Sequence, residues 1–336
     1  MLLRAGSGGY EQPFKSSACL GRTKASMTRL PTPHQPVLPE DCLKLLDPRP
    51  GYFYFDGTIG TGAHSRLILE SAPGSIVFGF DRDADALRIA ESNLSEFESR
   101  VILHHDDFKN WRHYEMPDRP FGGCLLDLGF SSVQIESSGR GFSFSRDEPL
   151  DMRMDIRHGR TGADILNELP AHELVRIFQE YGEVPFSRRL AAEIVARRGR
   201  RSFARTADFL EAIFTVAHPH RWHHPATLPF MALRIAVNGE LDGLDVFLRD
   251  VAAAVTISGR VVVISFHSLE DRIVKHTFRS LAPRGSEFTI LTKKPIVAGD
   301  EERANNPRSR SAKLRALRRD PRCSNCMLPR RNDEVH

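Results

Sequence analysis

Tyr52-Phe53-Tyr54-Phe55-Asp56-Gly57-Thr58-Ile59-Gly60-Thr61-Gly62-Ala63-His64-Ser65 is the stretch on which the fold turns. A short β-type run ends in an acid and a glycine-rich turn, and Arg66–Glu70 then has helical character. About twenty residues after the glycines, the apolar run Ser75–Phe80 ends in Asp81. Strand, glycine turn, helix, strand and acid is the pattern by which a Rossmann-like sheet holds a nucleoside. The turn lets backbone approach the ligand, and the second acid accepts hydrogen bonds from ribose hydroxyls.

A dinucleotide site asks for G-x-G-x-x-G, so that pyrophosphate can rest on a helix N-terminus. Here Gly60-Thr61-Gly62 runs into Ala63, His64 and Ser65, so the third glycine is missing. Asp56, just before the turn, repels a pyrophosphate and suits a cation. S-adenosylmethionine carries a sulfonium and an α-ammonium, and D-G-T-x-G-x-G opens many methyltransferases. An ordinary tight turn with a coincidental acid is the bland alternative, and the strand-turn-helix context and Asp81 weigh against it.

Strand candidates recur at 52–55, 76–80, 101–104 and 123–126, with helical stretches such as 83–94 between them. That alternation predicts a parallel α/β sheet. The strands end in Asp56, Asp81, Asp106–Asp107 and Asp127. In open α/β sheets ligands lie beyond the carboxyl ends of the strands, so all four acidic ends are expected at one crevice. From Ser137 the rhythm changes. Residues 138–160 are rich in Gly, Arg and Asp, and 164–216 read as helices, among them Ala171–Tyr181 and Ser187–Arg198. Another amphipathic helix is expected from Phe230 through Leu248 to Val255, before the strand Arg260–Ile264. The expected division is an α/β domain over 34–136 and 232–320, an all-helical insert over 137–231, and a tail over 321–336.

With 336 residues the chain can bury a sizeable core; its 40% hydrophobic content is ordinary for a soluble globular protein, no apolar run approaches the length of a membrane span, and no membrane partner is expected. The net charge is only +4, but arginines cluster at 188–205 and 303–322. Such patches suit a polyanion; a solvated helix face is the plainer reading. Cys323-Ser324-Asn325-Cys326 is a lone CxxC, and zinc would need two further ligands, so no metal is expected there. Five cysteines without a disulfide framework fit a reducing compartment, and the cytoplasm is expected. Residues 1–33 are basic, with Glu11 the only acid. They read as a disordered extension, Met27 being an alternative start; acting as a transit peptide they would imply mitochondria.

Several segments together resemble the MraW (also called RsmH) family of S-adenosylmethionine-dependent ribosomal RNA cytosine-N4 methyltransferases. They are His34–Leu38, Asp56–Ser65, Leu125–Ser132, Arg140–Phe144, Pro149–Asp155, Tyr181–Glu183, Arg234–Leu241, Ser265–Arg272 and Asn306–Ser311. They stand in the family's order across 34–318, and Ser-Phe-His-Ser-Leu-Glu-Asp-Arg and Leu-Asp-Met-Arg-Met-Asp are highly specific strings. The resemblance implies a Rossmann-like class I methyltransferase sheet with an inserted all-helical domain. It implies cofactor contacts at Gly62, Ala63, His64, Asp81, Phe108, Asp127 and Gln134. Gly62–His64 would pass the methionine moiety, Asp81 would take the ribose hydroxyls, and Phe108 would pack on adenine. Ala63 departs from the family's usual glycine and needs an allowed φ and some room. The implied substrate is small-subunit ribosomal RNA; a homodimer is compatible with the sequence.

The implied chemistry is an in-line displacement in which cytosine N4 attacks the sulfonium methyl. N4 is a weak nucleophile because its lone pair is delocalised, so an acceptor for its hydrogens helps. Asp127 is the candidate catalytic residue: Asp127-Leu128-Gly129-Phe130 has an acid-x-x-aromatic outline. A cofactor contact and a loop cap are its competing roles. His267 is a second candidate base, and Ser268-x-x-Asp271 reads as a capping box. Asp151 and Asp155 read as anchors for arginines or as an incomplete metal pair. His218–His224 reads as a loop meeting RNA phosphates or stacking a base on Trp222, a metal being the weaker alternative. The rival functions are methylation of DNA or protein, a non-enzymatic ribosome-assembly factor with a vestigial pocket, and a nicotinamide dehydrogenase.

Overall fold

The computed structural model describes residues 35–129, 139–218 and 224–321. The chain opens with α1 (Pro39–Leu46), then β1 (Phe53–Asp56), α2 (Ala63–Ser71), β2 (Ile76–Asp81), α3 (Ala84–Asn93), β3 (Val101–His105) and β4 (Phe121–Asp127). Five helices follow: α4 (Gly162–Glu168), α5 (Ala171–Glu180), α6 (Ser187–Arg198), α7 (Thr206–Val216) and α8 (Thr227–Asn238). Then come α9 (Leu244–Ala254), β5 (Arg260–Ser265), α10 (Ser268–Leu281), β6 (Phe288–Ile290), α11 (Asp300–Asn305) and β7 (Lys313–Arg319).

The strands form one sheet in the order β3-β2-β1-β4-β5-β7-β6. β1 to β5 are mutually parallel; β7 runs antiparallel to both β5 and β6. The period of two sorts each strand's side chains between two cores. Phe53, Phe55, Phe78, Phe80, Leu126 and Val263 pack with α9 and α10 on one face. Tyr54, Val77, Leu125 and Val262 pack with α1, α2 and α3 on the other. This is the expected Rossmann-like class I methyltransferase sheet, with α4–α8 inserted between β4 and β5. The strand order reverses between β1 and β4, so their carboxyl ends flank the switch point where such sheets bind ligands.

The inserted helices share a third core of their own, including Leu174, Phe178, Leu190, Phe209, Phe230 and Leu233. A second set of contacts joins the segment before α4 to the sheet. Arg140 pairs with Asp83 and donates to the carbonyls of Arg153 and Met154, while Asn238 bonds Met152 O and Met154 N.

Two expectations need correction. The helix expected from Phe230 to Val255 is two helices, because Gly239 and Gly243 take φ of +55° and +68° and interrupt it. The arginine-rich stretch after 303 contains β7, a largely buried interior strand that pairs with β5 on one side and the edge strand β6 on the other. Arg315, Arg318 and Arg319 extend from β7 to Asp271, Asp320 and Glu287, so these three cations are structural. Among the described residues no helix is long and apolar enough to cross a membrane.

Asp83 caps α3 by accepting the Asp85 amide and is the buried counter-ion of Arg140. Asp83→Ala removes a cap worth about 1 kcal/mol and strips a buried charge of its partner, for a loss of about 3 kcal/mol or more. Urea unfolding measures it, with Asp83→Asn, which keeps the cap, falling between the two. A loss below about 1 kcal/mol would show that the pair does not hold this junction.

Candidate active site

The turn after β1 is held from inside. Asp56 is only 2% exposed. One of its carboxylate oxygens accepts the Ser65 hydroxyl at 2.5 Å and the other the Thr58 amide at 3.2 Å. It therefore fixes the turn from below instead of facing a ligand, contrary to the cation-contact reading. Gly57 has no room for a side chain, since a Cβ there would lie 2.4 Å from Leu126 Cδ2. Gly62, at φ +83°, takes the left-handed step just before α2. Ala63 is consequently the first helical residue, and its methyl needs no unusual φ.

Above this turn lies a pocket walled by Gly57–Thr61, Ala63, His64, Asp81, Phe108 and Asp127. Pro36, Met154, Glu240, Glu270 and Arg308 also line it. Gly62 contributes the turn and not the wall. Phe108 is mostly buried, edge-on to Phe247 of α9 with ring centroids 4.7 Å apart. Gln134 lies outside the described residues.

The four acidic strand ends divide. Asp81 and Asp127 line the pocket, and Asp56 is beneath it. Asp106 instead accepts from Asn110 and Tyr114, while Asp107 pairs with Arg82 and Lys109. Asp81 accepts the Gly60 amide on one oxygen at 2.8 Å and the Asp83 amide on the other at 2.9 Å. A carboxylate has about four acceptor positions, so roughly two remain for ligand hydroxyls. Burial pushes the Asp81 carboxyl up to about 6.

Asp127 is the most perturbed pocket acid. Its amide donates to Thr58 Oγ1 at 2.6 Å, which ties the end of β4 to the turn. Its Oδ2 lies 3.9 Å from His64 Nε2. Its Oδ1 is buried without a hydrogen-bond partner. Burial raises its pKa to about 7, against the opposing charge of Arg308 and with help from Asp56 and Glu270. The side chain is nonetheless 19% exposed, through the pocket. An unsatisfied carboxylate oxygen at a pocket wall fits a ligand bearing donors or positive charge.

His267 is the N-cap of α10, and its capping box is made with Glu270, one residue earlier than the expected Ser268–Asp271 pair. His267 Nε2 lies 3.1 Å from Glu270 Oε1, and the other Glu270 oxygen accepts the amides of Phe266 and His267. Those bonds hold the Glu270 carboxyl below the usual range despite its burial. Glu240, His267 and Glu270 bring ligand atoms within 4.8 Å of one another. Glu240, however, is already paired with the Arg234 guanidinium through two bonds of 2.9 Å, one on each oxygen, and that cation disfavours a metal beside it. Asp151 and Asp155 each hold an arginine two residues on, Arg153 and Arg157. His224 stacks on Phe144 at 4.5 Å; residues 219–223, with Trp222, and Cys323–Cys326 lie outside the described residues.

Glu240, Glu270, Met154 and Arg308 were not singled out as site residues from sequence. Each lies inside one of the specific strings quoted above, which was the available signal.

Residues 31–320 match the MraW methylase family. The Ribosomal RNA small subunit methyltransferase H of Syntrophotalea carbinolica is 45% identical over 313 residues, covering 87% of this chain and all of that protein. The protein of the same name from Nostoc sp. is 46% identical over 285 residues, covering 84% of this chain and 91% of that one. Among solved structures, an rRNA methylase from Streptococcus thermophilus aligns with a TM-score of 0.38 at 12% identity, covering 84% of this chain and 94% of that one. With the match spanning both halves of the sheet and all five inserted helices, the chain belongs to the MraW methylase family, whose methyl donor is S-adenosylmethionine.

Proposed function

We propose that this protein transfers a methyl group from S-adenosylmethionine to the exocyclic N4 of a cytosine in small-subunit ribosomal RNA. The observation that carries the reading is Asp127, a buried carboxylate with an unsatisfied oxygen at the end of β4. The names of the relatives support the RNA substrate. The bound cofactor supplies an electrophilic methyl on a sulfonium.

The chain's own residues bind and orient. Asp81 has acceptor capacity for ribose hydroxyls. Gly62, Ala63 and His64 open α2, where first-turn amides suit the methionine carboxylate. Phe108 offers an apolar wall for adenine. Asp127, as carboxylate, accepts a hydrogen from the N4 amine, favours its rehybridisation and takes the proton as the bond forms. Gln134 completes the proposed cofactor set. The helical insert is proposed over 137–231, within a methyltransferase domain over 34–136 and 232–320; the shared core of α4–α8 supports it.

Methyl transfer from labelled cofactor to small subunits lacking the mark tests the substrate. Label is expected in RNA and, after nuclease digestion, in N4-methylcytidine. Label confined to protein, or to another base position, rejects the assignment.

Asp81→Ala should weaken cofactor binding roughly ten- to hundredfold, the equivalent of one or two charged hydrogen bonds, with RNA affinity kept. Calorimetry reads this, and unchanged cofactor affinity refutes the role. For Asp127 the active form is the carboxylate. With its pKa raised to about 7, single-turnover rate should rise as pH goes from 6 to 8. Asp127→Asn should lower that rate roughly a hundredfold and flatten the rise. If cofactor affinity falls while the single-turnover rate and its pH dependence persist, Asp127 is a binding contact only.

A further inference from the structure

The arginine clusters conspicuous in the sequence are partly consumed within the fold, although no side-chain partner engages Arg188, Arg189 or Arg200 among the described residues. Arg197 pairs with Glu193 and Glu211, Arg201 with Asp208, and Arg205 with Asp147. Arg198 donates to the carbonyls of Leu166 and Leu169. Arg315, Arg318 and Arg319 pair with Asp271, Asp320 and Glu287, as described above. Charge spent in this way is a poor partner for phosphates.

A different surface keeps its charge. A groove between α10 and β6 is lined by Lys275, Arg279, Lys293 and Arg315, and no acidic residue lines it. Lys275, Arg279 and Lys293 make no ion pair or hydrogen bond among the described residues. The nearby carboxylates are already engaged. Asp271 is held by Arg315 and Lys313, Asp320 by Arg318 and Thr289, and Glu287 by Arg319.

One helix runs between the groove and the pocket: α10 starts at the pocket and passes along the groove, whose β6 wall lies level with the start of β5. Glu270, in the first turn of α10, lines the pocket, and Asp271 beside it holds Arg315 of the groove. Asp271, Lys275 and Arg279 recur every fourth residue and so share one face of α10. At about 1.5 Å of rise per residue, Lys275 and Arg279 stand roughly 6 and 12 Å beyond Asp271. The cations thus form a row along the helix, which suits the row of phosphates on a nucleic-acid backbone.

We propose that this groove is a backbone track for the RNA, on which Lys275, Arg279 and Lys293 neutralise phosphates flanking the target nucleotide. The proposal rests on the reading of this protein as an RNA methyltransferase. A base withdrawn from its stack into the pocket leaves its neighbouring phosphates outside. The track would hold that flanking strand while the base is presented.

The test compares the full chain with K275A/R279A/K293A. The probes are a cytosine-containing single-stranded RNA of about a dozen nucleotides and the unmethylated small subunit. At roughly 0.7 in the log–log salt slope per phosphate on a single strand, the variant should lose about 2 from the slope. Its affinity at low salt should fall about tenfold or more, while cofactor affinity and Tm stay unchanged. The double variant R279A/K293A, which leaves half-buried Lys275 in place, should lose an intermediate amount. An unchanged salt slope in both variants, or loss seen instead in R188A/R189A/R200A, overturns the track. Failure of the functional reading looks different: salt-dependent RNA binding would remain, with no methyl transferred by the unaltered protein.

Discussion

The buried carboxylate of Asp56 organises everything above the sheet. It sits at the end of β1, almost wholly out of water, and binds the Ser65 hydroxyl and the Thr58 amide. Those bonds fold the glycine turn back onto the strand and anchor the first turn of α2. From that fixed turn, Thr58 reaches the amide of Asp127 on β4, and the Gly60 amide reaches Asp81 on β2. Three strand ends are thereby tied to one loop. Close packing makes the tie rigid, because Gly57 is pressed against Leu126 and Phe55 and can carry no side chain.

This arrangement gathers acids that would rather be in water. Burial lifts Asp56 and Asp81 to about 6 and Asp127 to about 7. A raised carboxyl binds its proton more tightly folded than unfolded, so its contribution to stability declines as pH climbs from about 4 to about 7. At neutral pH the protein therefore holds partly charged, incompletely solvated groups at its switch point. Asp56 offsets the cost with internal donors, whereas Asp127 leaves an oxygen without one. The difference separates an acid satisfied by its own turn from one with an unsatisfied oxygen at the pocket wall.

Much of this frame was legible because strand alternation and terminal acids are local signals. The cores on the two sheet faces follow from the alternating Phe53, Tyr54 and Phe55 alone. What each acid does was less legible. An aspartate before a glycine turn can meet a ligand or bind the turn's own amides, and only the packing of Ser65 onto Asp56 decides. The break between α8 and α9 is signalled by Asn238-Gly239 and Asp242-Gly243, turn-type pairs that the helical spacing of Leu241, Leu244 and Leu248 masks. Capping at His267 was missed because imidazole is an uncommon cap, and Ser268 one residue later satisfied the usual rule.

The distribution of charge was the hardest feature to read, for a physical reason. A cation contributes to the external field only to the extent that no carboxylate beside it cancels it. Lys313-Leu314-Arg315-Ala316-Leu317-Arg318-Arg319 looks like a basic patch, but as β7 it lays alternate residues into the core and its arginines onto acids from α10 and beyond. Lys275, Arg279 and Lys293 are scattered over two segments and form no run, yet one helix face and one loop bring them to the same groove. The long-range field of this protein is thus a property of its tertiary pairing. A nucleic-acid surface inferred from sequence density alone falls in part on charges the fold has already used, such as Arg197, Arg201 and Arg315.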